Sequence, residues 1–240
     1  MPYRFRFRLV PFIAMLVVAA IGISLGQWQL RRAAEKEAIE QRIKLQEQAP
    51  PLRLDSAAAQ AGDADAVEFR NVTVRGEFVP GWTIYLDNRP HDGKPGFHVL
   101  TPLKIAGSGR HIIVARGWTP RDVADRSRIA PIATPAGTVE IAGTARSHAS
   151  RLLQLGQAAA LKPGAIVQNL DVAALAQASG LEIEPFIVEQ TGSAGDGLVR
   201  DWPRPSLGID RHLGYAFQWF ALAATALLFF VVTGFKRGSK

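Results

Sequence analysis

The chain has 240 residues, 48% of them hydrophobic, and a formal net charge of +7. In a soluble protein that balance would suggest a nucleic-acid binder, but six of the seven net charges sit in two short tails, Arg4, Arg6 and Arg8 at one end and Lys236, Arg237 and Lys240 at the other. The residues between are nearly neutral, 22 basic against 21 acidic, and the lack of cysteine excludes disulfides, thiolate metal sites and cysteine nucleophiles.

Residues 1–8 read as a basic tail, followed by 22 residues, Leu9 to Leu30, without a charged side chain. Crossing a bilayer takes about 20 residues at 1.5 Å rise, so 9–30 is expected to be a first transmembrane helix. Ser24 and Gly26 would also suit the −3 and −1 positions of a cleaved signal peptide, but the apolar run exceeds the usual signal core of about 7 to 15 residues. Gly22-x-x-x-Gly26 offers a groove for another helix. The second span is the expected partner, through Ala216 or Ala223, although a helix of a partner protein or of a second copy would use the same groove. Gln27 and Gln29 flank Trp28, and their amides either bond a partner or face interfacial water.

Helical spacing continues over Trp28 to Gln48 until Pro50 and Pro51, and Ala57 to Ala66 reads as a linker. From Phe69 the period changes to two, with strands expected over Phe69 to Phe78, Trp82 to Leu86, Phe97 to Ile105, His111 to Trp118, Thr138 to Ala145, Ile166 to Leu170 and Pro185 to Gln190. Asp171 is placed to cap a short helix over Val172 to Ala178, with Gly180 as its stop. Asp196 to Pro205 reads as a returning loop. Residues 31–211 thus form a mostly-β domain, an antiparallel barrel or sandwich with one or two helices. A second transmembrane helix over 212–235 and a basic tail over 236–240 follow. Lys and Arg beside spans stay cytoplasmic, which puts both tails inside and the domain outside, most simply in the periplasm of a bacterium as a multi-pass inner-membrane protein.

The five histidines, His91, His98, His111, His148 and His212, show no metal-binding spacing on one element. Gly192 to Gly197 has the wrong order for a dinucleotide fingerprint, and no nucleophile elbow occurs, so no enzymatic chemistry is nominated. The second span opens His212-Leu213-Gly214-Tyr215-Ala216-Phe217-Gln218-Trp219-Phe220, and at 100° per residue His212, Tyr215, Trp219 and Ala223 share a face. An imidazole over aromatic residues there could ligate haem iron, with Arg31, Arg32 and Arg211 near the same depth to meet propionates. Equally, Tyr and Trp gather at membrane interfaces, Arg beside a span meets lipid phosphate, and His212 could be an interfacial hydrogen-bond donor. Arg116-Gly117-Trp118 reads as structural, with Gly117 allowing an unusual backbone angle, Trp118 covering a core edge and Arg116 pairing internally. Trp28, Arg116 and Trp118 are the partner-contact candidates, since exposed Trp and Arg anchor interfaces.

Five blocks in order resemble the Surfeit locus protein 1 family of cytochrome c oxidase assembly factors: Gly26-Gln27-Trp28-Gln29-Leu30-Arg31, Phe69 to Phe78, Pro95 to Leu103, Val114 to Pro120 and His212 to Phe220. The resemblance implies a two-span inner-membrane protein that aids insertion of haem a into subunit I of haem-copper oxidase, with His212 at the position of a proposed haem ligand. Family members commonly carry Asn-Asn directly before that histidine, where this chain has Asp210-Arg211, so any help those amides give in orienting the imidazole is absent here. The expected cofactor is haem a held in transit, and the expected partners are oxidase subunit I, haem a synthase and the lipid bilayer. The rival expectation is a scaffold that holds nascent oxidase through the extracytoplasmic domain without touching haem. Nucleic acid is not an expected partner.

Overall fold

The computed structural model describes residues 3–54, 64–125, 128–149, 152–153, 159–203 and 207–237. Most of the expected linker, the last residues of the C-terminal tail and the end of the returning loop lie outside the described residues. In chain order the elements are β1 (Tyr3–Phe5), α1 (Leu9–Gln48), β2 (Leu52–Leu54), α2 (Ala64–Val67), β3 (Asn71–Phe78), β4 (Ile84–Leu86), β5 (Gly96–Ile105), β6 (His111–Pro120), β7 (Thr138–Arg146), β8 (Ile166–Val167), α3 (Val172–Ser179), β9 (Ile183–Gln190), α4 (Ile209–Gly234) and β10 (Phe235–Arg237). They fall into two compact units, 1–42 with 205–240, and 43–204.

The first unit is a helix pair. α1 is one uninterrupted helix of 40 residues, because Arg31 to Gln48 contains neither Gly nor Pro and the expected span and the helix after it share the same phase. Both α1 and α4 are long and apolar enough to cross a membrane by length and composition, and only 17% and 11% of their most apolar windows are buried within the protein. Such helices present their apolar side chains outward rather than into a core. The chain ends meet at one end of the pair, where β1 and β10 run antiparallel with Tyr3 opposite Arg237 and Phe5 opposite Phe235. Phe5, Phe12 and Phe230 stack there, with ring centroids 5.5 to 6.0 Å apart.

The second unit is a mixed eight-stranded sheet in the order β2-β3-β7-β9-β6-β5-β4-β8, with β3 also pairing β5. Pairing therefore passes from β3 through β7, β9, β6 and β5 and returns to β3. This corrects the expectation of a wholly antiparallel domain: β6 runs parallel to β9, β2 to β3 and β4 to β8. A closed circuit of five strands cannot alternate direction all the way round, so at least one neighbouring pair must be parallel, and β6 with β9 is that pair.

β6 is buried on both faces, so it reads as a continuous apolar run rather than an alternation. Ile112 and Val114 join Val72, Val74, Leu103, Ile141, Phe186 and Val188 in one core cluster. Ile113 and Ala115 join Ile84, Leu100, Leu175 and Ile187 in the other. α3 covers the second cluster through Leu175 and begins as expected: Asp171 accepts hydrogen bonds from the backbone of Ala173 and Ala174, and Gly180 ends the helix at φ 69°.

Candidate functional site

Close approach of α1 and α4 is written in small residues. Met15, Gly22, Gly26, Gln29 and Ala33 are the buried positions of α1, and Ala216, Ala223 and Gly234 those of α4. A Cβ added at Gly22 would lie 2.9 Å from the Trp219 carbonyl oxygen and 3.0 Å from the Ala223 Cβ, and one at Gly26 would lie 2.7 Å from the Phe220 ring. Glycine is what lets the two backbones meet at this distance, and the second span is the partner of the groove through Ala223.

One turn further from the paired chain ends, the same interface places a polar pair. Gln29 is 9% exposed, and its Oε1 lies 2.7 Å from Nδ1 of the half-buried His212. No hydrogen-bond partner for Nε2 of His212 occurs among the described residues. The spacing 22, 26, 29, 33 on α1 and 212, 216, 219, 223 on α4 puts Gln29 opposite His212, so the signal for Gln29 was present in the continuation of the Gly22-x-x-x-Gly26 stripe. Gln27, by contrast, is exposed.

The other sequence candidates at this end divide by face. Trp219 is half-buried, and its backbone carbonyl faces Gly22 of α1. Tyr215 is 50% exposed, because the stripe facing α1 passes through Ala216, leaving Tyr215 beside it. Arg31 and Arg211 are exposed and lie within one helical turn of Gln29 and His212 in sequence. Trp28 is 44% exposed with the Arg32 guanidinium 5.8 Å from its ring centroid.

Arg116, Gly117 and Trp118 belong to the sheet unit, where they are packed inside. Val99 pairs with Gly117 and Leu100 with Ala115, so Arg116 is the extra residue of a β-bulge. Its guanidinium donates to Thr134 Oγ1 at 2.8 Å, to the Ala133 carbonyl and to Asp196 Oδ2 at 3.1 Å, and Arg200 donates to the same Asp196 oxygen at 2.6 Å. Burial by itself would raise the Asp196 carboxyl, but the Arg200 and Arg116 hydrogen bonds hold it below its ordinary value. Burial in turn lowers the Arg116 guanidinium, opposed by Asp196. Gly117 has φ 149°, and a Cβ there would lie 2.8 Å from Leu198 and from the Val199 carbonyl, so only glycine fits. Trp118 is 7% exposed and donates from Nε1 to the Arg89 carbonyl at 2.6 Å. Both side chains are thus engaged internally, as in the structural reading of this block, and Trp28 is the partner-contact candidate that stands exposed.

Beside Trp118, the His98 ring packs edge-on against Trp202 at 5.0 Å. Burial lowers its pKa to about 4, with the charges of Arg89 and His91 adding to the shift. In the same sheet unit, burial raises Glu189 to about 7, opposed by Arg146 and reinforced by Glu68. Arg146 Nη1 lies 3.3 Å from Glu68 and its Nε 3.7 Å from Glu189. Among the described residues no group of three or more His, Cys, Asp or Glu could hold a metal ion.

A mixed-sheet domain carried between two long apolar helices, with an amide and an imidazole paired where the helices touch, defines the class. The model of the SURF1 family matches residues 16–224, and the chain belongs to that family, an assembly-factor family linked to cytochrome oxidase rather than an enzyme family. The SURF1-like protein of Rickettsia felis is 29% identical over 236 residues, covering 92% of this chain and 95% of its own. The SURF1-like protein of Rickettsia bellii is 28% identical over 231 residues, covering 91% and 88%. Surfeit locus protein 1 of Arabidopsis thaliana is 30% identical over 129 residues, covering 48% of this chain and 35% of its own.

Proposed function

We propose that this protein is a haem-handling assembly factor of the bacterial inner membrane, which aids insertion of haem a into subunit I of a haem-copper cytochrome c oxidase. The observation that carries this reading is the half-buried His212 imidazole at the end of the α1–α4 interface, with one ring nitrogen bonded to Gln29 and the other without a protein partner among the described residues. That donor set fits an axial haem ligand, since iron-bound imidazole uses one nitrogen and hydrogen-bonds through the other. His212 would ligate the iron, Tyr215 and Trp219 would offer aromatic surface to the porphyrin, and the exposed Arg31 and Arg211 would meet its propionates. Haem a is cargo here, and a single neutral ligand suits release better than two. The chain's own residues bind, orient and let go, with no bond made or broken in the cargo beyond ligation. Trp28, exposed beside Gln29, is the proposed contact for the oxidase subunit or for haem a synthase.

Membrane placement follows from charge and pairing. Both basic tails belong in the cytoplasm by the retention of Lys and Arg beside spans, and the sheet unit belongs in the periplasm. The test of function is purification of the full chain in detergent from a host that makes haem a. The reading expects a coloured protein that captures subunit I. A colourless protein that still captures subunit I would contradict haem handling and support the scaffold.

A further inference from the structure

We propose that Gln29 is a positioning residue for His212: its carboxamide oxygen accepts the imidazole Nδ1–H, which fixes the neutral tautomer whose lone pair is on Nε2 and holds the ring in one orientation. This deepens the haem-handling reading and depends on it for the ligand's identity, but the tautomer itself is a property of the protein without haem.

Three observations carry it. Gln29 is nine-tenths buried in a helix interface built from Gly22, Gly26, Ala216 and Ala223, where an amide has no water to satisfy it and must find a protein partner. The partner it finds is Nδ1 of His212 at 2.7 Å, through its oxygen. A carboxamide oxygen has lone pairs and no hydrogen, so the proton between them belongs to the imidazole. In the neutral ring the other nitrogen then carries the lone pair, and no protein group competes for it among the described residues. The two side chains are anchored on different helices, 183 positions apart, and the close glycine contact next to them limits how far either can swing.

The choice of an amide has a chemical consequence. A carboxylate in the same place would pull harder on the Nδ1 proton and strengthen the bond the ring forms through Nε2. A neutral carboxamide fixes the tautomer while leaving a ligand of ordinary strength, which is what a protein that passes its cargo on requires. Ligand strength is therefore set by residue 29, on the helix opposite the ligand.

The experiment uses the full chain in detergent micelles, in two steps. First, ¹⁵N NMR of the imidazole nitrogens in the haem-free protein, with the His212 signals identified by their loss in His212→Asn, reads the tautomer directly. Wild type is expected to show protonated Nδ1 and unprotonated Nε2, and Gln29→Leu a mixture of the two tautomers. A wild-type protein with the proton on Nε2 overturns the proposal, as does an unchanged tautomer in Gln29→Leu. Second, titration with haem a is expected to show affinity lowered about 10-fold or more in Gln29→Leu and equal or tighter binding in Gln29→Glu. Weakening by Gln29→Glu equal to that by Gln29→Leu would overturn the positioning role, and circular dichroism on both variants separates this from loss of the helix pair. If wild type binds no haem a while its tautomer is as expected, the function proposed above fails and the inference about Gln29 stands.

Discussion

His98 and Glu189 are displaced from their ordinary pKa values in opposite directions, His98 down to about 4 and Glu189 up to about 7, in each case chiefly by burial. Their effects on stability have opposite signs. Glu189 binds its proton more tightly in the folded protein, so its contribution is complete below about pH 4.5 and is lost as pH rises through 7. His98 resists protonation when folded, so its contribution is complete above about pH 6.5 and is lost as pH falls through 4. Each amounts to roughly 3 kcal/mol. The two slopes oppose each other between about pH 4.5 and 6.5, where wild type is expected to melt at a nearly constant temperature. Glu189→Gln should leave a melting temperature that climbs by several degrees over that window, and His98→Asn one that falls, in thermal melts followed by circular dichroism. Arg116→Met should cost about 2 to 4 kcal/mol, because it strips donors from Thr134, Ala133 and Asp196 together. Arg116→Lys should not restore it, since an ammonium cannot reproduce the fork. The roles of Arg116, Gly117 and Trp118 were legible because glycine between Arg and Trp in an apolar run already implies a backbone irregularity. The acid–base pattern of His98 and Glu189 was not, since it depends on burial in the folded sheet and on charges that the β4–β5 loop and β7 bring in through Arg89 and Arg146.

The decisive contact between elements is that of α1 with α4 at Gly22 and Gly26. Gly22→Leu drives a side chain into the Trp219 carbonyl, which is backbone and cannot yield as a side chain can. It should destabilise the pair by about 1 to 3 kcal/mol, whereas Ser24→Leu, on the exposed face, should be nearly neutral. The chain has no cysteine, so spin labels on one introduced cysteine in each helix can read the separation, expected to grow in Gly22→Leu alone. This contact was legible from the spacing of glycines and alanines. Gln29 was legible only in part, because an amide at a span end is compatible with water until the stripe is followed through positions 22, 26, 29 and 33. Strand positions were read within a few residues, but strand direction was not. Parallel and antiparallel strands buried on both faces show the same apolar run, and the parallel pairing of β6 with β9 arises from the return of β3 onto β5. Ile166 to Leu170 shrank to the two residues of β8.

At the scale of the whole chain, Tyr3–Phe5 pairs with Phe235–Arg237 through β1 and β10, an arrangement that the proposed topology with both tails on one side requires. Charge led to the expectation of a common side for the tails, while the pairing of β1 with β10 was hidden in segments of three residues each. Reporter fusions check the proposed topology: a cytoplasmic reporter joined after residue 240 should be active and an extracytoplasmic one there inactive, with the opposite result for a reporter inserted at the Gly107 to Gly109 turn. Membership of the SURF1 family supplies the setting of oxidase assembly, and what it leaves to be tested is whether the helix pair itself holds haem. The most direct measurement is the absorption spectrum of haem a titrated side by side into wild type and His212→Ala, both as full chains in detergent. The account predicts a saturable spectral change of a ligated haem with wild type, and with His212→Ala an altered spectrum and weaker binding. Identical spectra and affinities for the two proteins would contradict it.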